Sequence, residues 1–462
     1  MSLATSIRRN LFVLVGLGGL ALSAQGAAAQ PLDSALAAAY VNNPTLNAQR
    51  AGTRATDENV SKALSGYRPT LNGGVSAGFQ ATRMRTPGTL SAYENLWPAT
   101  FALTAAQTLF DGFITANTTE SAESQVRGSR ETLRNTEQQV LLDGVTAYMN
   151  VIQAIALLDL QRQNLAALEQ ELRATRDRFN VGEVTRTDVA QAEARVADAQ
   201  YGVSQAVANL SASRAVYRQV IGVEPGKLTF PASIERMLPS NVDRVISLGL
   251  SQHPAVKASQ FAVDAAMFQV KVAEGALMPN LSLQGQLSQG YDSSISVAST
   301  GAAAVTLNLS VPIYQGGVEY ANIRQSKELL SQARIEVDVN RDAIRAQAVQ
   351  FWGSLEAAKS QIQAAQAAVA ANTLALQGVR EEWRVGQRTT TDVLNAQRDL
   401  TNSRSALVVA QRDRVVAAYS LVSTVGKLDA QSLRLKVRAY NPVTHYEQVR
   451  DSWAGLRTPD GQ

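Results

Sequence analysis

Phe179-Asn180-Val181-Gly182 runs on to Thr187-Asp188-Val189, and Trp383-Arg384-Val385-Gly386 runs on to Thr391-Asp392-Val393. The same eleven-position turn, used twice, predicts a chain built from two copies of one unit. Working outward, other pairs keep the same order. Asn43-Pro44 and Tyr67-Arg68-Pro69-Thr70-Leu71 answer to His253-Pro254 and Leu277-Met278-Pro279-Asn280-Leu281. Leu109-Phe110-Asp111-Gly112 answers to Ile313-Tyr314-Gln315-Gly316, and Gly222 to Gly426. The offset stays at about 204 to 210 residues throughout.

Each copy reads as helix, two strands, very long helix, turn, helix. The first long segment, about 116–180, lacks proline, and its glycines Gly128 and Gly144 stand alone. Leu141, Val145, Tyr148, Ile152 and Ile155 step by four and three, the seam of a coiled coil. The second long segment, about 321–384, has the alanine-rich run 364–371, which favours helix and close helix approach. A helix of that length is about 100 Å long and must lie against others of similar length. The shorter helices, about 34–66 with 186–221 and about 245–275 with 390–425, sum to that length when stacked end to end. Four helical columns per chain are expected.

The strands alternate with period two. Leu71, Val75, Ala77, Phe79 and Ala81 alternate with Thr70, Asn72, Ser76, Gln80 and Thr82. In the second strand, Trp97, Ala99, Phe101, Leu103 and Leu109 alternate mainly with threonine. Leu281, Leu283, Leu287 and Tyr291, then Val305, Leu307, Leu309, Val311 and Ile313, repeat the pattern. The polar set is small and neutral, as suits a wet lumen; the apolar set suits lipid, with Phe79, Trp97, Phe101 and Tyr291 near the outer rim. A soluble sheet over a core would also alternate. Four strands cannot close a membrane barrel, so closure requires a ring of copies around one axis. Physics alone leaves 8, 12 or 16 strands open. The loops at about 83–95 and 292–301 are predicted to face outward, and the long helices inward.

The compartment follows from the first residues. Arg8 and Arg9 precede an apolar run to about Leu22, and Ala27-Ala28-Ala29-Gln30 carries a small-x-small cleavage pattern, a secretory signal with cleavage after Ala29. No later stretch reads as a transmembrane helix, so membrane entry requires a closed barrel. There is no cysteine, and net charge is +4 with both signs dispersed. The divisions predicted are 1–29 signal, 30–221 first copy, 222–243 linker, 244–426 second copy, and 427–462 a segment packed around the middle with a disordered tail from about Asp451.

These residues resemble the TolC-type outer-membrane efflux proteins over essentially the whole mature length. The duplicated unit, the Leu309-Ser310-Val311-Pro312-Ile313-Tyr314-Gln315-Gly316-Gly317 strand exit and the two Val-Gly…Thr-Asp-Val turns carry the resemblance; Arg178 begins the first turn, while Glu382 stands at that place in the second. The resemblance implies a fold that is mostly α with a membrane β-barrel: a homotrimer whose 12-stranded barrel in outer-membrane lipid continues into a 12-helix periplasmic tunnel. It also implies docking to a periplasmic adaptor and an inner-membrane ABC or proton-driven transporter, with drugs or unfolded proteins exported. The matching gate positions are Thr187, Asp188, Trp383, Arg388 and Asp392. Arg388 resembles the arginine that bridges to an aspartate at the Asp188 position, and Asp392 an acidic ring. Asn395 stands where some members have a second acid. Trp383 replaces a more usual tyrosine, so its hydroxyl bond would be missing. The turns also admit a plainer reading: Thr187-Asp188 and Thr391-Asp392 lie where returning helices start, and Thr and Asp are favoured there as caps. Gly182 and Gly386 suit helix C-termini.

Enzymatic chemistry finds no support. His253 and His445 are the only histidines, far apart and without carboxylates at ligand spacing, and neither a P-loop nor a nucleophile triad is present. No metal, cofactor or nucleic acid is expected. The competing readings are a periplasmic adaptor protein and a secreted structural coiled-coil protein.

Overall fold

The computed structural model describes residues 30–85, 87, 92–459 and 461. The signal segment lies outside the described residues.

The chain begins with α1 (Leu32–Asn42) and α2 (Pro44–Leu64). The sequence suggested one helix over 34–66. Proline at position 44 forces Asn43 into an extended conformation, and the helix breaks there. Asn43 then caps α2, its Oδ1 accepting from the amides of Thr45 (2.9 Å) and Leu46 (3.2 Å). The strands β1 (Thr70–Ala77), β2 (Gln80–Met84), β3 (Ala92–Leu96) and β4 (Ala99–Phe110) follow. Next come α3 (Ile114–Asn180) and α4 (Arg186–Ile221), then α5 (Val242–Gln252) and α6 (Pro254–Gly275), broken at His253-Pro254 in the same way. The chain continues through β5 (Asn280–Ser294), β6 (Val297–Ser310), α7 (Val318–Arg384), α8 (Thr390–Thr424) and α9 (Pro442–Val449).

The long helices α3 and α7 each have 67 residues. The shorter ones meet end to end. Asn43 Nδ2 donates to the Val220 carbonyl at the end of α4 (2.8 Å), and Gly426, just past α8, abuts the Gln252-His253 junction. The core sits at this mid-height. Leu36, Leu141, Tyr148, Met149, Tyr217 and Ile221 are buried there, together with Leu428 from the segment after α8. Val245, Ala348, Leu355 and Leu421 form a second cluster. One sequence expectation was too strict. By length and composition α3 contains a window apolar enough to cross a membrane. Val140, Leu141, Val145, Tyr148 and Val151 in that region are buried against other helices, so its hydrophobicity already has partners.

The C-terminal segment is laid across α2 and α3. Arg50 lies over the rings of Tyr40 and Tyr440, Arg130 over Tyr446, and Arg68 over Trp453. His445 Nδ1 lies 3.1 Å from the buried Asp57 carboxylate. Residues 451–459 have no regular structure, yet the Ser452 carbonyl accepts from Ser61 Oγ (3.2 Å) and Arg68 Nη1 (2.6 Å).

The sheet is antiparallel in the order β1-β4-β5-β6. Its register gathers the apolar residues on one face: Gly73, Leu103, Leu287 and Ala303 form one cross-strand row, and Leu71, Ala105, Gly285 and Val305 the next. Asn72, Thr104, Gln286 and Ala304 form a row on the opposite face. Among the described residues neither face carries a covering layer. Val305 is 77% exposed, Val75 72% and Leu307 62%. A soluble sheet would bury that face, because each side chain of this size left in water forgoes about 1.5–3 kcal/mol.

Three strand details differ from the sequence reading. The ladder expected over 70–82 breaks after Ala77, where Pro98 on the partner strand has no amide to offer. The Gly78 amide donates to the Pro98 carbonyl instead (2.9 Å), and β2 and β3 pair as a separate hairpin inside the loop expected at 83–95. The loop expected at 292–301 is mostly strand, β5 and β6 being joined through positions 295 and 296. Leu109 is skipped by the register between Thr108 and Phe110, a bulge that returns Phe110 to the row of Leu281 and Leu309. At the far end of the sheet the four aromatics pair as Phe79–Trp97 (5.0 Å between centroids) and Phe101–Tyr291 (6.4 Å).

His253 caps α6, its Nδ1 accepting from the Ala255 amide (3.2 Å). Burial pushes its pKa down to about 4. The unfolded chain therefore takes up this proton near pH 6.5 while the folded chain resists until about pH 4. The contribution of His253 is complete above pH 6.5 and falls away as pH drops to 4. Asp57 is displaced upward by burial, which acts with the opposite sign, so the test is a difference. His253→Asn keeps a capping acceptor, as Asn43 does in α2, and removes the titration. Its stability relative to the parent is expected to rise by about 3 kcal/mol between pH 6.5 and pH 4, read from thermal melts. A constant difference across that range rejects the assignment.

Candidate functional site at the hairpin tips

The long helices end in two matched turns. Gly182 and Gly386 have φ of 81° and 78°, the left-handed region open to glycine without strain. The amides of Gly182 and Glu183 donate back to the carbonyls of Phe179 (3.0 Å) and Arg178 (2.9 Å), and those of Gly386 and Gln387 to Trp383 (3.0 Å) and Glu382 (2.9 Å). This double bond closes a helix C-terminus. The returning helices open with capping boxes. Asp188 Oδ2 accepts from the Thr185 amide (2.9 Å) and hydroxyl (2.7 Å), and Asp392 Oδ2 from the Thr389 amide (3.0 Å) and hydroxyl (2.9 Å). The caps are thus Thr185 and Thr389, two residues before Thr187 and Thr391, with the aspartates closing each box from the third helical position. The Thr389 hydrogen bonds hold the Asp392 carboxyl below its ordinary range.

The predicted positions fall on these two tips. Thr187 is exposed on the first turn of α4. Arg388 Nε donates to Glu382 Oε2 (2.7 Å), so within one chain its partner is the acid that replaces the expected arginine, not Asp188. Glu382 and, more weakly, Asp392 hold the Arg388 guanidinium firmly protonated. Trp383 is buried against Leu376, Val393 and Leu400. In place of a tyrosine hydroxyl it offers its indole Nε1, which donates to Thr390 Oγ1 (3.4 Å) on its own hairpin.

Residues beyond that set join the two tips. The Arg178 guanidinium lies 3.8 Å from the Trp383 ring centroid, and its Nη1 donates to the Trp383 carbonyl (3.3 Å). Thr391 Oγ1 donates to Gln191 Oε1 (2.5 Å). Glu171 faces Arg380, Arg178 and Arg384; burial displaces its carboxyl upward despite them, and its Oε1 is buried without a hydrogen-bond partner. Farther up, Asn164 Oδ1 accepts from Gln397 (3.2 Å) and Thr401 (3.0 Å), and Asn150 Oδ1 from Arg412 (3.0 and 2.8 Å). A polar seam between α3 and α8 thus binds the hairpins side by side. The sequence held one signal for it: the exchange of Arg178 for Glu382 at equivalent places, which gives each tip a different charge.

No group of three or more metal-binding side chains occurs among the described residues. The tips present fixed charges, caps and aromatic packing, which is equipment for holding a shape. The sequence profile of the outer membrane efflux proteins matches residues 35–223 and 245–427. The chain belongs to the outer membrane efflux protein family. It is 45% identical to the outer membrane efflux protein BepC of Brucella suis, with 96% of each chain covered. It is 26% identical to the outer membrane protein TolC of Escherichia coli over 92% of this chain and 88% of TolC. Its fold matches the outer membrane channel CmeC of Campylobacter jejuni with a TM-score of 0.76, covering 91% of this chain and 89% of that one, at 16% identity. The family assignment places the protein in the outer membrane of a Gram-negative cell, as a channel component, and sets aside the adaptor and structural coiled-coil readings.

Proposed function

We propose that three copies close one 12-stranded barrel in the outer membrane, continued by a 12-helix periplasmic tunnel, and that this duct passes drugs or unfolded proteins delivered by an inner-membrane ABC or proton-driven transporter through a periplasmic adaptor. The observation that carries the reading is the bare apolar face of a four-stranded sheet whose edge strands, β1 and β6, are each unpaired on their outer side among the described residues. The helical part ends in the same kind of open edge. Helix α7 leaves Leu329, Ile335, Val339 and Leu374 exposed on one side, and α4 leaves Tyr201 and Val216 exposed on the other. Unlike edges that meet head to tail generate a ring. With four strands per copy, three copies give twelve strands, a wider barrel than the eight whose interior side chains fill. The lumen-facing rows of Thr, Asn, Gln and Ser carry no charge, which suits passage without retention.

The periplasmic entrance is gated at the tips by Thr187, Asp188, Trp383, Arg388 and Asp392, with Arg388 of one copy reaching the Asp188 turn of the next when the ring is assembled. Its pairing with Glu382 in the single chain keeps the guanidinium at the tip, from which either acid can take it. Single exposed ion pairs contribute little, so a gate of this kind yields readily to adaptor binding. Arg388→Ala is expected to raise single-channel conductance in planar bilayers, with Glu382→Gln giving a smaller rise. Conductance equal to the parent in both variants rejects the gate.

A further inference from the structure

Gln30 is the residue that cleavage after Ala29 would leave first, and the inference below rests on that reading of the signal. Its surroundings are unusual for a chain terminus. Gln30 forms a parallel bridge to Leu228. Its nitrogen donates to the Lys227 carbonyl (2.8 Å), and its side-chain Oε1 accepts from the Gly226 amide (3.1 Å). Its own carbonyl accepts from the Tyr148 hydroxyl (2.8 Å). Nitrogen and side-chain carbonyl therefore both turn to neighbouring groups of one short segment. The Gln30 side chain also lies beside the Tyr217 hydroxyl, with which it interacts weakly.

A free terminus at this half-exposed place would be an ammonium with three protons and a full charge, met within the chain by one carbonyl. The site offers one acceptor to the nitrogen and one donor to the side-chain oxygen. A lactam has one N–H and one carbonyl, and so satisfies both.

We propose that the mature chain begins with a pyroglutamyl residue at position 30. The lone pair of the neutral α-amine attacks Cδ of Gln30, the N–Cδ bond forms, the Cδ–Nε2 bond breaks, and Nε2 leaves as ammonia with the amine proton. No oxidant, reductant or co-reactant is involved. The reaction takes place on the newly exported chain, before the terminus docks, and yields an uncharged end closed to aminopeptidases that ties the linker to α3.

The test is mass spectrometry of the N-terminal peptide from protein taken directly from outer membranes. The expected peptide begins at position 30, is lighter than the glutaminyl form by one ammonia, and resists Edman degradation. In Gln30→Glu, where the leaving group is far poorer, the free amine should predominate. A parent chain beginning at Gln30 with a free amine overturns the proposal and leaves the cleavage reading intact. A chain beginning at any other residue overturns both.

Discussion

Leu307→Arg is expected to remove the protein from the outer membrane. Leu307 lies in β6 opposite Leu283, on the apolar face of the sheet, and is exposed among the described residues. An arginine facing lipid near the middle of a barrel costs about 2–4 kcal/mol, and in a ring every copy would carry it. Asn308, the next residue, pairs with Ser282 on the opposite face, so Asn308→Arg points the same charge into the lumen and should be tolerated. The pair is read by heat-modifiable migration in outer-membrane fractions: Asn308→Arg retains the folded, heat-sensitive band and Leu307→Arg loses it. Equal behaviour of the two variants would mean that the faces have been assigned wrongly.

Tyr148→Ala is expected to be the most damaging single change in the helical part. Tyr148 is fully buried, and its ring lies against Tyr217 at 6.5 Å. Its one hydroxyl proton lies between the carbonyls of Gln30 (2.8 Å) and Thr229 (2.6 Å), while its oxygen accepts from the Thr229 amide (3.0 Å). The residue thus fastens the chain start and the linker to the middle of α3. Truncating a large buried aromatic costs about 3–5 kcal/mol. Tyr148→Phe isolates the polar share: it keeps the volume and leaves the Thr229 amide without its acceptor, a loss of about 1–3 kcal/mol. Thermal melting followed by helical circular dichroism should order the parent first, Tyr148→Phe second and Tyr148→Ala last. A Tyr148→Phe melt equal to the parent would show that packing alone holds the junction.

The long helices were legible because periodicity without proline over some 65 residues has few other outcomes, and the strands because neutral polar residues alternate so strictly with aliphatic ones. The breaks were harder to read. Asn43-Pro44 and His253-Pro254 were visible as motifs, yet proline is also tolerated at the first position of a new helix, and only the geometry separates a kink from a fresh start. Pro98 was equally visible, but its effect falls on a strand that is remote in sequence, where Gly78 loses its ladder partner. At the tips, Thr187, Asp188, Trp383, Arg388 and Asp392 were placed through resemblance. The bonds that Arg178, Glu171 and Gln191 make across the hairpins depend on which helices become neighbours, and no spacing in the sequence encodes that. The caps show the same limit. Thr185 and Thr187, like Thr389 and Thr391, are chemically interchangeable as caps, and the turn geometry selects the earlier threonine each time.

In the membrane, lipid is expected to cover the bare face of the four-stranded sheet and further copies of the chain its open edges. Sedimentation of the purified mature protein, with the detergent contribution subtracted, tests this most directly. The expected particle has three chains and stays in solution only while detergent is present; a single chain that remains dissolved and folded after detergent removal would contradict this arrangement.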